Sequence, residues 1–118
     1  MSWNLDSDRP IFMQIIEHME FDIASGTLSP GAKVPSVREL AAEAAVNPNT
    51  MQRALSEMER KGLMHTERTS GRYITQDENL IASLRQSIAS ACVDGFISQT
   101  KKLGLGMEEV QKLIRDNY

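Results

Sequence analysis

The 118 residues include only one cysteine, Cys92. That excludes an intramolecular disulfide framework and fits a reducing compartment. There is no unbroken run of about 18 apolar residues, so neither a transmembrane helix nor a membrane partner is expected. The opening stretch MSWNLDSDRP has no basic segment and no apolar core. A secretory signal is therefore not expected, and the expected location is the cytoplasm. Internal repeats and low-complexity tracts are missing. So is any nucleophile–base–orienter set, which argues against an enzyme. His18 and His65 have no second ligand at metal spacing, so no metal or other cofactor is expected. The GLG at 104–106 follows no strand and reads as a helix break, not a phosphate loop.

Strong net charge is lacking too. The formal value is −3, which does not suit a generic polyanion binder, but the average hides a gradient. Residues 1–31 carry one basic and five acidic side chains, residues 32–75 seven and five, and residues 76–118 five and six. An anion-binding surface is thus expected in the middle third. With 41% hydrophobic and 25% charged residues, the chain has the composition of a globular protein, and its length suits one domain with a small appendage.

Apolar periodicity predicts the elements. Phe12, Ile15, Ile16, Met19 and Ile23 recur at helical spacing, with Asp8 as a possible cap, Pro10 in the first turn and Gly26 as the stop. The link TLSPGAKVPS holds the turn pair Pro30-Gly31 and then Pro35. SVRE is a capping box, with Ser36 and Glu39 opening a short helix whose stripe is Val37, Leu40, Ala41 and Ala44. After a few residues Asn47 caps a third helix and Pro48 takes its first position. Met51, Ala54, Leu55 and Met58 form its buried face. Gly62 ends it, and LMHTERT and RYITQ flank Ser70-Gly71 as a hairpin. A long helix then runs from about Asn79 to Lys102. MEEVQKLIRDNY makes a last one, with Met107, Val110, Leu113 and Ile114 inward. The methionines sit mainly on apolar stripes and read as core filling.

The predicted class is mostly α (α+β): a winged helix-turn-helix over residues 1–76, followed by a two-helix tail over 77–118. GTLSPGAKVPSVRELAAEAAVNPNTMQRALSEMERKGLMHTERTSGRYIT closely resembles the DNA-binding domain of GntR-type bacterial regulators. The VNPNT turn and short helical tail resemble the YtrA subgroup. The resemblance covers residues 10–75 by motif and the tail by length and pattern. It implies a homodimer that binds a double-stranded operator and represses, with the tail as dimerisation element. The roughly forty-residue tail looks too short for the effector pocket of larger members, and whether any small-molecule effector binds is left open.

In such a fold the N-terminal half of the third helix meets base edges. Here that half offers Asn49, Thr50, Gln52 and Arg53, with Asn47 at the turn. Asn and Gln pair with adenine, Arg with guanine, and a Thr methyl can touch thymine. Ser36 and Arg38, at the start of the second helix, are phosphate candidates; the resemblance implies that role for the arginine. Gly71 and Arg72 on the wing suit a groove or backbone contact. The sequence departs from the broader pattern at Pro48 and Gln52, where arginines are common, and at the wing tip Thr69-Ser70-Gly71. No particular operator sequence is therefore carried over. The stripe Ile81, Leu84, Ile88, Cys92 and Phe96 is the expected dimer interface. The competing class is a winged-helix protein-interaction module using the same face.

Overall fold

The computed structural model describes residues 3–118. In chain order they form α1 (Ile11–Ser25), α2 (Val37–Ala44), α3 (Pro48–Arg60), β1 (Met64–Glu67), β2 (Gly71–Ile74), α4 (Glu78–Lys102) and α5 (Met107–Asn117). They divide into two compact units, the first running to Arg85 and the second covering Gln86–Tyr118.

The first unit is built on three helices. Ile15, Met19 and Ile23 of α1, Leu40 of α2, and Met51, Leu55 and Met58 of α3 are all but inaccessible. Burying each such side chain contributes about 1.5–3 kcal/mol. α1 starts from Pro10, which is its N-cap and not a first-turn residue, and Asp8 makes no cap. The helix start is held by buried Gln14 instead. Its Oε1 accepts from the Asp6 N–H at 2.6 Å, and its Nε2 donates to the Asp6 and Arg9 carbonyls at 2.6 and 3.0 Å. Gly26 closes α1 in the left-handed region (φ 85). The Arg85 Nε–H donates to the Ala24 carbonyl at 3.0 Å, placing a cation on the negative end of α1.

The hairpin pairs Met64 with Ile74, Thr66 with Arg72, and Glu67 with Gly71. A third segment lies along β2. Lys33 forms a bridge with Tyr73, the Val34 N–H donates to the Arg72 carbonyl at 2.8 Å, and the Ile74 N–H donates to the Ala32 carbonyl at 2.9 Å. The prolines at 30 and 35 concealed this strand-like stretch in a link expected to be only turn. Val34, Leu63, Met64 and Ile74 turn the sheet's apolar side into the helical core.

The second unit is a helical hairpin. Gly104 (φ 80) reverses the chain, and the Leu105 N–H reaches back to the Thr100 carbonyl at 3.1 Å, which closes the end of α4. Of the four α5 residues expected inward, only Val110 is buried; Met107, Leu113 and Ile114 are exposed in the single chain. α4 also differs from expectation. Over 18 residues its mean hydropathy reaches 1.2, enough by length and composition to cross a membrane. Its apolar residues are interspersed with serines, glutamines and a few charged side chains, so the average rises without an unbroken apolar run.

Candidate nucleic-acid interface

The turn between α2 and α3 is three residues long. Ala45 adopts the left-handed conformation (φ 56, ψ 47), and the Val46 N–H donates to the Ala41 carbonyl at 3.0 Å. Asn47 then caps α3, its Oδ1 accepting from the Asn49 N–H at 2.8 Å. That leaves the Asn47 side-chain amide NH2 as its donor to another partner, beside one remaining lone pair on Oδ1. The cap and Pro48 at the first position launch α3 sharply out of the turn.

With Met51, Ala54, Leu55 and Met58 buried, helical spacing puts Asn49, Gln52, Arg53, Ser56 and Arg60 outward, and all five are exposed. Thr50 is half-buried at the edge of this face. The Gln52 Nε2 donates to Ser56 Oγ at 3.1 Å. The Arg53 guanidinium lies over the Phe12 ring of α1, 4.1 Å from its centroid. Farther along, Arg60 grips Glu57 with Nε 3.0 and 2.9 Å from its two carboxylate oxygens. Chiefly through the hydrogen bonds from Arg60, the Glu57 carboxyl is held below its ordinary pKa. The acidic side chains of α3 thus sit in its C-terminal half, where one of its two arginines, Arg60, is already ion-paired.

At the start of α2, Ser36 Oγ accepts from the Glu39 N–H at 3.2 Å and donates to the Glu39 carboxylate at 3.1 Å. Ser36 caps the helix as expected, but the Glu39 carboxylate meets the Ser36 hydroxyl and not its backbone N–H, so the reciprocal half of the expected capping box is not formed. Arg38 is exposed and, among the described residues, makes no ion pair, so its charge is available to a phosphate. Ser36 itself is occupied by the cap.

The wing alters the reading of Arg72. Its side chain is only 16% exposed, and its Nε–H donates to Glu59 of α3 at 3.0 Å. The Thr66 hydroxyl bonds the same carboxylate. Arg72 therefore fastens the wing to α3, and a groove contact by it would require this pair to open. Gly71 is where the backbone comes close to a neighbour: at φ 120, a Cβ there would stand 3.1 Å from the Lys33 side chain. Lys33, Ser36, Glu39, Ser70, Gly71 and Arg72 line a cleft of about 600 Å³ between the wing and α2. Lys33 was not foreseen. Its only sequence signal was a cation beside the turn pair, and the sheet bridge that brings it to the wing is long-range.

The stripe expected to mediate dimerisation divides. Ile81 is 5% exposed within the first unit's core, and Leu84 packs against that core. Ile81 is thus spent inside the chain and cannot also meet a partner, which corrects its assignment to the dimer interface. In the second unit Ile88 is half-buried, Cys92 exposed and Phe96 43% exposed. Cys92, Val93, Phe96, Leu113, Ile114 and Tyr118 line an open apolar groove of about 670 Å³.

Comparisons with known proteins agree with this geometry. Residues 13–74 match the family described as "Bacterial regulatory proteins, gntR family". The chain is 38% identical to the HTH-type transcriptional regulator YhcF of Bacillus subtilis, over 98% of this chain and 95% of that protein. It is 32% identical to the HTH-type transcriptional repressor YtrA of the same organism, over 93% of this chain and 85% of that protein. A solved GntR family transcriptional regulator from Listeria monocytogenes superposes with a TM-score of 0.87 at 37% identity, covering 97% of this chain and all of that one. These relatives are transcription regulators, not enzymes. The chain belongs to the GntR family and is a DNA-binding transcriptional regulator with a winged helix-turn-helix.

Proposed function

We propose that the protein works as a homodimeric, cytoplasmic repressor that reads an inverted-repeat operator through the N-terminal half of α3. The observation that carries this reading is the outward set Asn49, Gln52 and Arg53. Their side chains are exposed and none is used by the core. In a major groove, Asn49 and Gln52 suit adenine and Arg53 suits guanine, each good bidentate pair contributing about 1–3 kcal/mol of discrimination. Thr50 supplies a methyl for thymine. Arg38 and the Asn47 amide face the backbone, Ser36 joins them only where its hydroxyl turns from Glu39, and Gly71 lets the wing approach the backbone closely. Lys33 adds a cation at the same cleft. The repressor role is supported by the name of the YtrA relative.

The homodimer is supported by the second unit. Val93 (52% exposed), Phe96, Leu113 and Ile114 form an apolar face that a lone chain leaves in water, and a second copy offers the matching surface. A second copy fits better than a bilayer, because the first turns of α4 are committed to the core through Ile81.

Selection of bound sequences from a random DNA pool by the purified full chain tests the reading. The expected product is an inverted repeat with half-sites about one helical turn, ~10 bp, or a multiple apart. Affinity for it should fall steeply with salt as counterions are released. If no DNA is retained even at low salt, the outward face of α3 belongs to a protein-interaction module instead.

A further inference from the structure

Arg53 differs from the other outward cation of α3, Arg60. Arg60 is taken by Glu57, whereas Arg53 makes no hydrogen bond or ion pair among the described residues. What holds it is the ring of Phe12, with the guanidinium carbon 4.1 Å from the centroid. Phe12 is itself half-buried and packed against the core of the first unit, so the ring is a fixed platform. The ring contact satisfies none of the guanidinium's five N–H donors with an oxygen or nitrogen acceptor, so they remain unpaired. A long side chain is thereby oriented before it meets a ligand, which removes part of the ordering cost of binding.

We propose that Phe12 is a positioning residue for base recognition. From α1, without touching DNA, it holds Arg53 in the orientation that reads one operator base. The proposal rests on the reading of Arg53 as a base-contacting side chain. It places a determinant of operator preference in a helix outside the helix-turn-helix.

The test uses the full-length protein and its selected operator, with single-base variants at every position and fixed salt. Arg53→Ala first identifies the position whose preference depends on Arg53. Phe12→Leu, which keeps the apolar volume and removes the ring, is expected to lower the preference at that position by about two- to fivefold and to leave the other positions unchanged. Phe12→Trp should retain it. Phe12→Leu in the Arg53→Ala background should cost nothing further. In the free protein, the Arg53 Nε–H resonance should lie upfield through the ring current and lose that shift in Phe12→Leu. Should Phe12→Leu fail to fold, Phe12→Met serves in its place. Uniform weakening at all positions, or an unchanged preference, overturns the proposal while leaving Arg53 as a reader. If Arg53→Ala has no position-specific effect, the underlying reading of Arg53 fails, and the proposal with it.

Discussion

At Glu59 two elements meet. Its carboxylate takes the Thr66 hydroxyl from β1 and the Arg72 guanidinium from β2. Burial works to raise its pKa, but those hydrogen bonds and the charges of Arg72 and His65 outweigh it, so the carboxyl titrates below its ordinary 4.5. A carboxyl lowered in the folded state adds stability that is fully present above the unfolded value and is lost as pH falls through the folded one. Glu59→Gln is accordingly expected to be less stable than the parent by roughly 1 kcal/mol at pH 7, with the gap closing as pH drops below the ordinary 4.5. Urea unfolding across that range checks this; a gap independent of pH would mean that the ionised form is not what holds the wing. The pattern alone could place Arg72 on the wing but not decide its partner. Helical spacing puts Glu59 on one flank of α3, and only the register opposing Thr66 and Arg72 shows that both wing side chains converge on it. The base-facing residues were easier to place, because a cap at Asn47 and a buried stripe from Met51 to Met58 fix the whole rotation of α3.

Among the elements, α2 ends in a way its composition did not announce. Ala45 sits in the left-handed region, where a side chain costs roughly 1–2 kcal/mol and glycine is the usual occupant. Ala45→Gly loses some of that gain to the greater freedom of the unfolded chain, so a net stabilisation of about 0.5–1 kcal/mol is expected, read as a raised denaturation midpoint at unchanged m-value. Destabilisation would show that the methyl group makes contacts that outweigh the strain. The alanine also tells what sequence pattern conveys and what it does not. Boundaries marked by caps were evident: Ser36, Asn47 and Gly26 lie where the helices start or stop. Positions held by tertiary contact were not. Ala32–Val34 pairs with β2 because residues about forty positions later come alongside, and no local signal records that.

For the molecule as a whole, the expected division at residue 76 and the observed limit of the first compact unit at Arg85 differ for a physical reason. Ile81 closes the first core from within α4, so the helix that begins the tail in sequence still serves the domain before it. Periodicity showed one long stripe and could not reveal that one end is buried in the first core while the other is left open in the single chain. The exposed end gives a direct test of assembly. Phe96→Glu leaves the first unit's core untouched, since Phe96 lies on the open groove of the second unit. It is expected to shift sedimentation from dimer to monomer and to weaken binding to the full inverted repeat by at least about tenfold, while binding to a half-site is preserved. A dimer that survives Phe96→Glu would put the interface elsewhere.

The strand-like pairing of Val34 with Arg72 also has a kinetic side. The Val34 amide can be protected from solvent only after the chain between 34 and 72 has closed on itself, with α2, α3 and β1 inside the loop. Closing such a loop is slow compared with forming its helices. Exchange of the Val34 N–H with heavy water should therefore track global unfolding, at a rate close to that of the deepest amides of α3. The exposed turn at Arg68–Ser70 should exchange orders of magnitude faster. The wing's far edge thus becomes a reporter of the last event in folding, although it lies on the rim of the domain.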